Sequence, residues 1–135
     1  MTEVFADSFY FIGLLNRSDQ HHTAAMAASK RRDWRLLTTA WVLLETADAL
    51  RDGSIRQTTY RFVHSALQGN HITVLSEFEW FKAGLELYGS RADKSWSLTD
   101  CISFSVMEAR GIREALTGDQ HFEQAGFVRL LVAGH

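Results

Sequence analysis

Short apolar runs alternate along the chain with longer segments in which apolar residues recur at helical spacing. The runs with the apolar, β-branched content of buried strands are EVFA (3–6), RLLTT (35–39), HITVL (71–75), EALT (114–117) and a candidate last strand at 128–132. Helical segments joined by short links separate these runs. The alternation predicts an α/β fold with a central parallel sheet of four or five strands, flanked by helices in three layers.

The helical segments begin with recognisable signals. Helices are predicted at 8–16, 20–32, 40–51, 55–68, 76–89 and 98–110, with one helical turn at 119–124. Asp19 is placed to cap the second of these helices. Ser76-x-x-Glu79 has the spacing of a capping box for the fifth. Ser97-x-x-Asp100 has the same spacing at the start of the long helix over 98–110.

Composition narrows the class of protein. The 135 residues fit one domain spanning 1–135, with 46% hydrophobic and 22% charged residues. The net charge of -2 gives no general attraction to nucleic acid, so a polyanion would need a local basic patch such as Lys30-Arg31-Arg32. A single cysteine excludes an internal disulfide. With neither a signal peptide nor an apolar stretch of membrane-spanning length, a cytoplasmic protein without membrane contact is expected.

Four acidic residues stand at or near predicted strand ends. Asp7 follows the first strand, Glu45 lies on the helix after the second, Asp100 opens the long helix, and Asp119 follows the fourth strand. In a parallel sheet the residues at the carboxyl ends of strands build the site. Carboxylates that meet there repel one another unless a cation neutralises them. Oxygen ligands without a Cys/His cluster favour a hard divalent ion, Mg²⁺ or Mn²⁺, which suits hydrolysis of a phosphodiester.

Each of these acids also has a purely structural explanation. Asp7 and Asp119 are placed to cap the helices behind them, and Asp100 fits its capping box. Glu45 shares a helix face with Asp48 and Asp52, a spacing typical of a solvated surface. It is the joint arrangement of the four acids that favours a metal cleft.

Four motifs resemble, in order and spacing, the PIN-domain ribonucleases, in particular the VapC-type toxins of toxin–antitoxin pairs. The motifs are VFADS (4–8), TT (38–39) followed by VLLE (42–45), SLTDCISF (97–104) and ALTGDQHF (115–122). Together they run over nearly the whole chain. One departure is Cys101, which stands where alanine is commonest in the family; we interpret it as a buried structural cysteine.

The resemblance implies a function for each acid. Asp7, Glu45, Asp100 and Asp119 match the family's acidic positions, which hold Mg²⁺ or Mn²⁺ and position the water that cuts RNA. Ser8 and Thr117 match hydroxyl positions that support them. The resemblance also implies a cognate antitoxin and a homodimer. The apolar segment Phe9 to Ile12 and the helix at 55–68 are the candidate contact surfaces.

Several alternatives stay open at this point. A non-catalytic PIN-fold module that binds RNA or a partner protein would carry the same fold. His121 is either a residue of a helical turn or a group that approaches the cleft, and His21-His22 are interpreted as surface residues. Trp96, in a charged loop, is the best candidate for stacking on a base.

Overall fold

The computed structural model of the chain describes residues 1–69 and 71–132. Its strands are β1 (Thr2–Ala6), β2 (Trp34–Thr39), β3 (Ile72–Leu75), β4 (Glu114–Leu116) and β5 (Val128–Arg129). Its helices are α1 (Ser8–Leu15), α2 (His22–Ser29), α3 (Ala40–Ala49), α4 (Ile55–Ala66), α5 (Phe78–Ser90), α6 (Leu98–Arg110) and α7 (Gln120–Gln124). The strands form one five-stranded sheet flanked by helices, and every strand pair is parallel. The predicted fold class is confirmed.

The strand order decides where a site can form. The order is β3-β2-β1-β4-β5, so the chain builds outward from β1 on one side and then crosses to the other. Because crossover connections are right-handed, this reversal moves the connecting helices to the opposite face of the sheet. A crevice opens at the carboxyl ends of the two strands where the direction changes, which here are β1 and β4.

The central strand β1 is also the most buried part of the core. Val4, Phe5 and Ala6 are fully buried, and Phe104 packs edge-on against Phe122 at a ring-centroid distance of 4.9 Å. Removing a side chain such as Phe5 from water contributes about 1.5–3 kcal/mol. The buried core thereby fixes the end of β1 and, with it, the position of the next residue, Asp7.

Helix α6 approaches α5 unusually closely. A Cβ atom built on Gly84 of α5 would lie 2.8 Å from the Cα atom of Ile102 in α6. Only a glycine permits this contact, because the obstructing atom belongs to the backbone. The close packing fixes the position of α6, whose first turn carries Asp100.

Some local predictions are confirmed and others are wrong. The capping box of Ser97 and Asp100 is present. The one predicted for Ser76 and Glu79 is wrong, since α5 begins after Glu77 and has no side-chain cap. The second helix starts only at His22, because Asp19 accepts a hydrogen bond from the backbone of His21 instead. The last strand is two residues long rather than five.

Two predictions about exposure also fail. Trp96 is only 6% exposed, because its ring packs edge-on against Phe104 and its Nε1 donates to Gln124 Oε1 at 3.0 Å. It therefore offers no face to a base. Tyr10 and Phe11 lie in the core and are unavailable to a partner.

Cys101 is buried as predicted, and burial raises the pKa of its thiol.

Among the described residues, none of the helices combines the length and the apolar character needed to cross a lipid bilayer.

Candidate active site

A cleft of about 350 Å³ opens at the carboxyl ends of β1 and β4. The four acids singled out in the sequence all line it: Asp7, Glu45, Asp100 and Asp119. The other lining residues are Ser8, Phe9, Ile12, Ser95, Ser97 and His121. These residues lie directly after β1, in α1 and α3, before and at the start of α6, and in the segment from Asp119 into α7.

Asp7 is the deepest of the acids, with only 3% of its surface exposed. It occupies the N-cap position of α1, but its side chain accepts no capping hydrogen bond. Instead Thr117 Oγ1 donates to Asp7 Oδ2 at 2.8 Å, since the β1–β4 register sets these two residues side by side. Burial raises the pKa of Asp7 to about 7; the Thr117 bond opposes this, and the carboxylates of Asp100 and Glu45 add to it. Asp7 is thus a buried acid that Thr117 orients, and its side chain does not cap the helix.

Glu45 faces the cleft rather than the solvent. It is half-buried, whereas Asp48 on the same helix is exposed, so the interpretation as a solvated face fails for Glu45. Ser8 Oγ donates to Glu45 Oε1 at 2.6 Å and fixes that carboxylate. Burial raises the pKa of Glu45, against the Ser8 bond, and the negative charges of Asp100 and Asp119 raise it further.

Asp100 and Asp119 each combine a structural contact with a position in the cleft. Asp100 Oδ2 accepts from the backbone N–H of Ser97 at 3.2 Å, which completes the capping box. Asp119 Oδ1 accepts from the backbone N–H of His121 at 2.9 Å and caps α7. Burial is the largest cause of the raised pKa of Asp100. Capping and ligation are compatible here, because a carboxylate offers two oxygens and several lone pairs.

The Thr117–Asp119 segment couples two of the acids. Thr117 Oγ1 donates to Asp7 and accepts from the backbone N–H of Asp119 at 3.0 Å. Between them, a Cβ atom on Gly118 would lie 2.5 Å from Phe9 Cζ and 2.7 Å from the carbonyl oxygen of Leu131. The absence of a side chain at Gly118 lets this turn press against α1, and the turn sets the separation of the two carboxylates.

No lysine or arginine within residues 1–69 and 71–132 lies within ion-pair distance of any of the four acids. The only potentially cationic neighbour there is His121, whose Nδ1 is 3.1 Å from Asp100 Oδ2 and 3.5 Å from Asp119 Oδ1. Carboxylates that share a cleft raise one another's pKa values, and a counter-charge favours their ionised forms. Their oxygen-rich donor set fits a hard divalent cation such as Mg²⁺ or Mn²⁺.

Comparison with known proteins adds to this geometry. No protein-family model matches the chain. The chain is 26% identical over 133 residues to the 23S rRNA-specific endonuclease VapC20 of Mycobacterium tuberculosis, covering 94% of this chain and 97% of that protein. The crystal structure of VapC20, described as a sarcin–ricin loop cleaving toxin, superposes with a TM-score of 0.83 at 25% identity, covering 94% and 98% of the two chains. Over nearly its whole length the chain is therefore similar in sequence to VapC20, and it shares the fold of that VapC-type toxin.

Two more distant solved structures share the fold of this chain. VapBC2 from Rickettsia felis, bound to a promoter DNA fragment, matches with a TM-score of 0.66 at 9% identity, covering 95% of this chain and 97% of its own. FitAcB from Neisseria gonorrhoeae matches with a TM-score of 0.61 at 13% identity, covering 93% and 94%. At such identities the likeness concerns the fold alone.

For one residue of the cleft, His121, the sequence alone left the position open. Both interpretations of His121 hold, because it lies in α7 and its ring reaches Asp100. The available signal was its position two residues after Asp119, within the first turn of a helix that starts at the cleft. His21 contributes differently, with its ring 4.5 Å from that of Phe9 at the cleft wall.

Proposed function

We propose that this chain is a Mg²⁺- or Mn²⁺-dependent endoribonuclease and the toxin of a toxin–antitoxin pair. The observation that carries the proposal is the cleft itself: four carboxylates at the sheet's switch point, without an arginine or lysine partner in the described residues. The relationship to a 23S rRNA-specific endonuclease over almost the whole chain supports the same activity. We further propose that residues 1–135 form a single PIN-like domain that acts in the cytoplasm.

In this proposal the four acids hold the metal ion and the attacking water. A bound divalent ion lowers the pKa of a water ligand and offsets negative charge on the phosphate. Thr117 orients Asp7 and Ser8 orients Glu45, through the hydrogen bonds described above. Those hydroxyls hold each carboxylate in an orientation suited to bind the ion.

The raised pKa values fit the same assignment. With a pKa of about 7, Asp7 is partly protonated near neutral pH without a cation. A divalent ion favours the charged carboxylate and displaces that proton. The proton and the metal ion therefore compete for Asp7, and metal affinity is expected to increase with pH.

We propose an RNA substrate, a cognate antitoxin and a second copy of the chain as partners. Apolar side chains on the outer faces of α3 and α5 support a homodimer, among them Leu44 (58% exposed) and Phe78 (62% exposed), with Phe78 stacked on Phe81 at 5.4 Å. The exposed Tyr60 in α4 and Leu67 directly after it support the contact surface predicted for the helix at 55–68, without deciding which partner it binds. Size-exclusion chromatography with light scattering tests the dimer, and a stable 15.3 kDa species contradicts it.

A cleavage assay tests the enzymatic proposal directly. The purified chain is incubated with structured RNAs and Mg²⁺ or Mn²⁺, then with EDTA, and then with the ion restored. We expect cutting that EDTA abolishes and the ion restores, with Asp7→Asn as the inactive control. RNA that is bound and never cut would support the non-catalytic module instead, and cutting that survives EDTA would exclude a metal-dependent reaction.

A further inference from the structure

His121 brings a nitrogen donor into a site otherwise built from oxygen. Its ring nitrogen and one carboxylate oxygen each from Asp100 and Asp119 all lie within 4.8 Å of one another. Among the described residues, this is the only group of three or more acidic, histidine or cysteine side chains with that geometry. The ring is three-quarters buried, so its position does not depend on a mobile surface side chain.

The spacing of these donors matches that of ligands around an ion. Adjacent ligands of an octahedral cation with bonds of about 2.1–2.2 Å lie about 3.0–3.1 Å apart. His121 Nδ1 is 3.1 Å from Asp100 Oδ2 and 3.5 Å from Asp119 Oδ1. Two of the three separations are therefore close to those on one face of an octahedron, and the third is no more than 4.8 Å.

The local backbone fixes His121 relative to its neighbours. Its N–H donates to Asp119 Oδ1 at 2.9 Å, and Asp100 is held by the capping box of α6. Both contacts lie at helix starts and involve main-chain atoms. The arrangement of nitrogen and two carboxylates is thus built into the chain before any ion binds.

From this geometry we infer that His121 is a direct ligand of the metal ion and makes the site prefer Mn²⁺ over Mg²⁺. Mg²⁺ binds almost exclusively to oxygen, whereas imidazole is a good ligand for transition-metal ions. Removing His121 leaves the four acids, so the remaining oxygen site treats the two ions more evenly. The inference rests on the proposed function, since it concerns the metal that the nuclease would use.

Metal binding without RNA tests the inference. Mn²⁺ is bound to the parent chain, to His121→Asn and to the control His21→Asn. Pulsed electron paramagnetic resonance then detects directly coordinated nitrogen, and competition with Mg²⁺ gives the relative affinities. Asparagine keeps a hydrogen-bond donor near Asp100, and His21 lies at the cleft wall against Phe9 without contacting the acids.

We expect an imidazole nitrogen coupling in the parent and in His21→Asn, and its loss in His121→Asn. The Mn²⁺ affinity of His121→Asn falls about tenfold or more, and its Mg²⁺ affinity falls much less. Tight Mn²⁺ binding without a nitrogen coupling in the parent overturns the role of His121 and leaves the metal-dependent nuclease standing. Failure of the parent to bind either ion overturns both proposals.

Discussion

The two ends of the same parallel sheet treat their carboxylates in opposite ways. At the amino end, Arg31 makes a two-pronged ion pair with Asp33 at 2.6 and 2.8 Å, and Arg110 reaches Glu3 at 3.4 Å. At the carboxyl end, four acids share a cleft and no arginine or lysine of the described residues reaches them. The difference separates acids that pair with an arginine from acids that no arginine or lysine of the described residues pairs with.

The titration of the two groups follows the same division. The hydrogen bonds from Arg31 lower the pKa of Asp33, whereas burial raises that of Asp7 to about 7. Neighbouring carboxylates add to the rise at the cleft end. A shift upward records a cost in the folded state, which the protein retains only where another contribution offsets it.

The largest expected effect is on RNA cleavage, when one acid at each end of the sheet is replaced by its uncharged amide and the two variants are compared. If the proposed function holds, Asp7→Asn should reduce RNA cleavage roughly a thousandfold or more, because it removes a ligand of the proposed metal ion that would contribute several kcal/mol in the transition state. Asp33→Asn, at the amino end, should cut RNA at the rate of the parent. Initial rates under saturating metal provide the comparison, and circular dichroism verifies the fold. Equal losses in the two variants would abolish the distinction between the ends.

The pH dependence of stability should also single out the cleft. The folded-state pKa of Asp7 lies near 7, above the ordinary 3.8, so the ionised form opposes folding. This cost to the free energy of unfolding is absent below about pH 4 and increases between about pH 4 and 7. Above pH 7 it levels off at about 4 kcal/mol. Urea unfolding of the metal-free chain between pH 4 and 8 should show Asp7→Asn gaining stability over the parent as the pH increases. Parallel curves for the two chains would contradict the buried, unneutralised state of Asp7.

Adding a divalent ion should reverse part of that penalty. At a concentration 100 times the dissociation constant, a ligand of the folded state contributes about 2.7 kcal/mol. For a chain of this size that raises the thermal midpoint by roughly 10 °C. Differential scanning calorimetry with Mn²⁺ and with EDTA measures the shift, which Asp33→Asn should retain and Asp7→Asn should largely lose. An unchanged midpoint in the parent would argue against a metal site.

The smallest effect is expected from the amino end. Glu3→Gln breaks a long, partly exposed ion pair with Arg110, and such pairs contribute less than about 1 kcal/mol, reduced further by salt. Urea unfolding at low and high ionic strength should show this small difference, with metal affinity unchanged. A loss above 2 kcal/mol would mean that the amino end also depends on its charges.

The sequence allowed the fold class and the convergence of the four acids to be predicted, because both depend on local pattern. Strand periodicity placed Asp7 at a strand end, and capping spacing placed Asp100 in a first turn. The strand order was not predicted. It depends on which sheet edge each crossover reaches, and short apolar runs carry no such information.

Side-chain environments were harder to predict. Trp96 lies in a charged loop and yet is buried, since Phe104 and Gln124 approach it from distant parts of the chain. His121 acquired its neighbours in the same way, through the packing of α7 against α6. The hydroxyl of Thr117 next to Asp7 follows from strand register, which becomes visible only once β1 and β4 are paired.

Gly118 has a practical consequence for producing the chain, should the proposed ribonuclease activity hold. A methyl group there would collide with Phe9 and with the carbonyl oxygen of Leu131, so Gly118→Ala must displace the turn that carries Thr117 and Asp119. Such a chain keeps every ionisable group of the parent, while the carboxylates of the cleft lose their alignment. Under the proposed function it would be a non-toxic variant for production in living cells, and its surface away from the cleft would remain available to the proposed antitoxin.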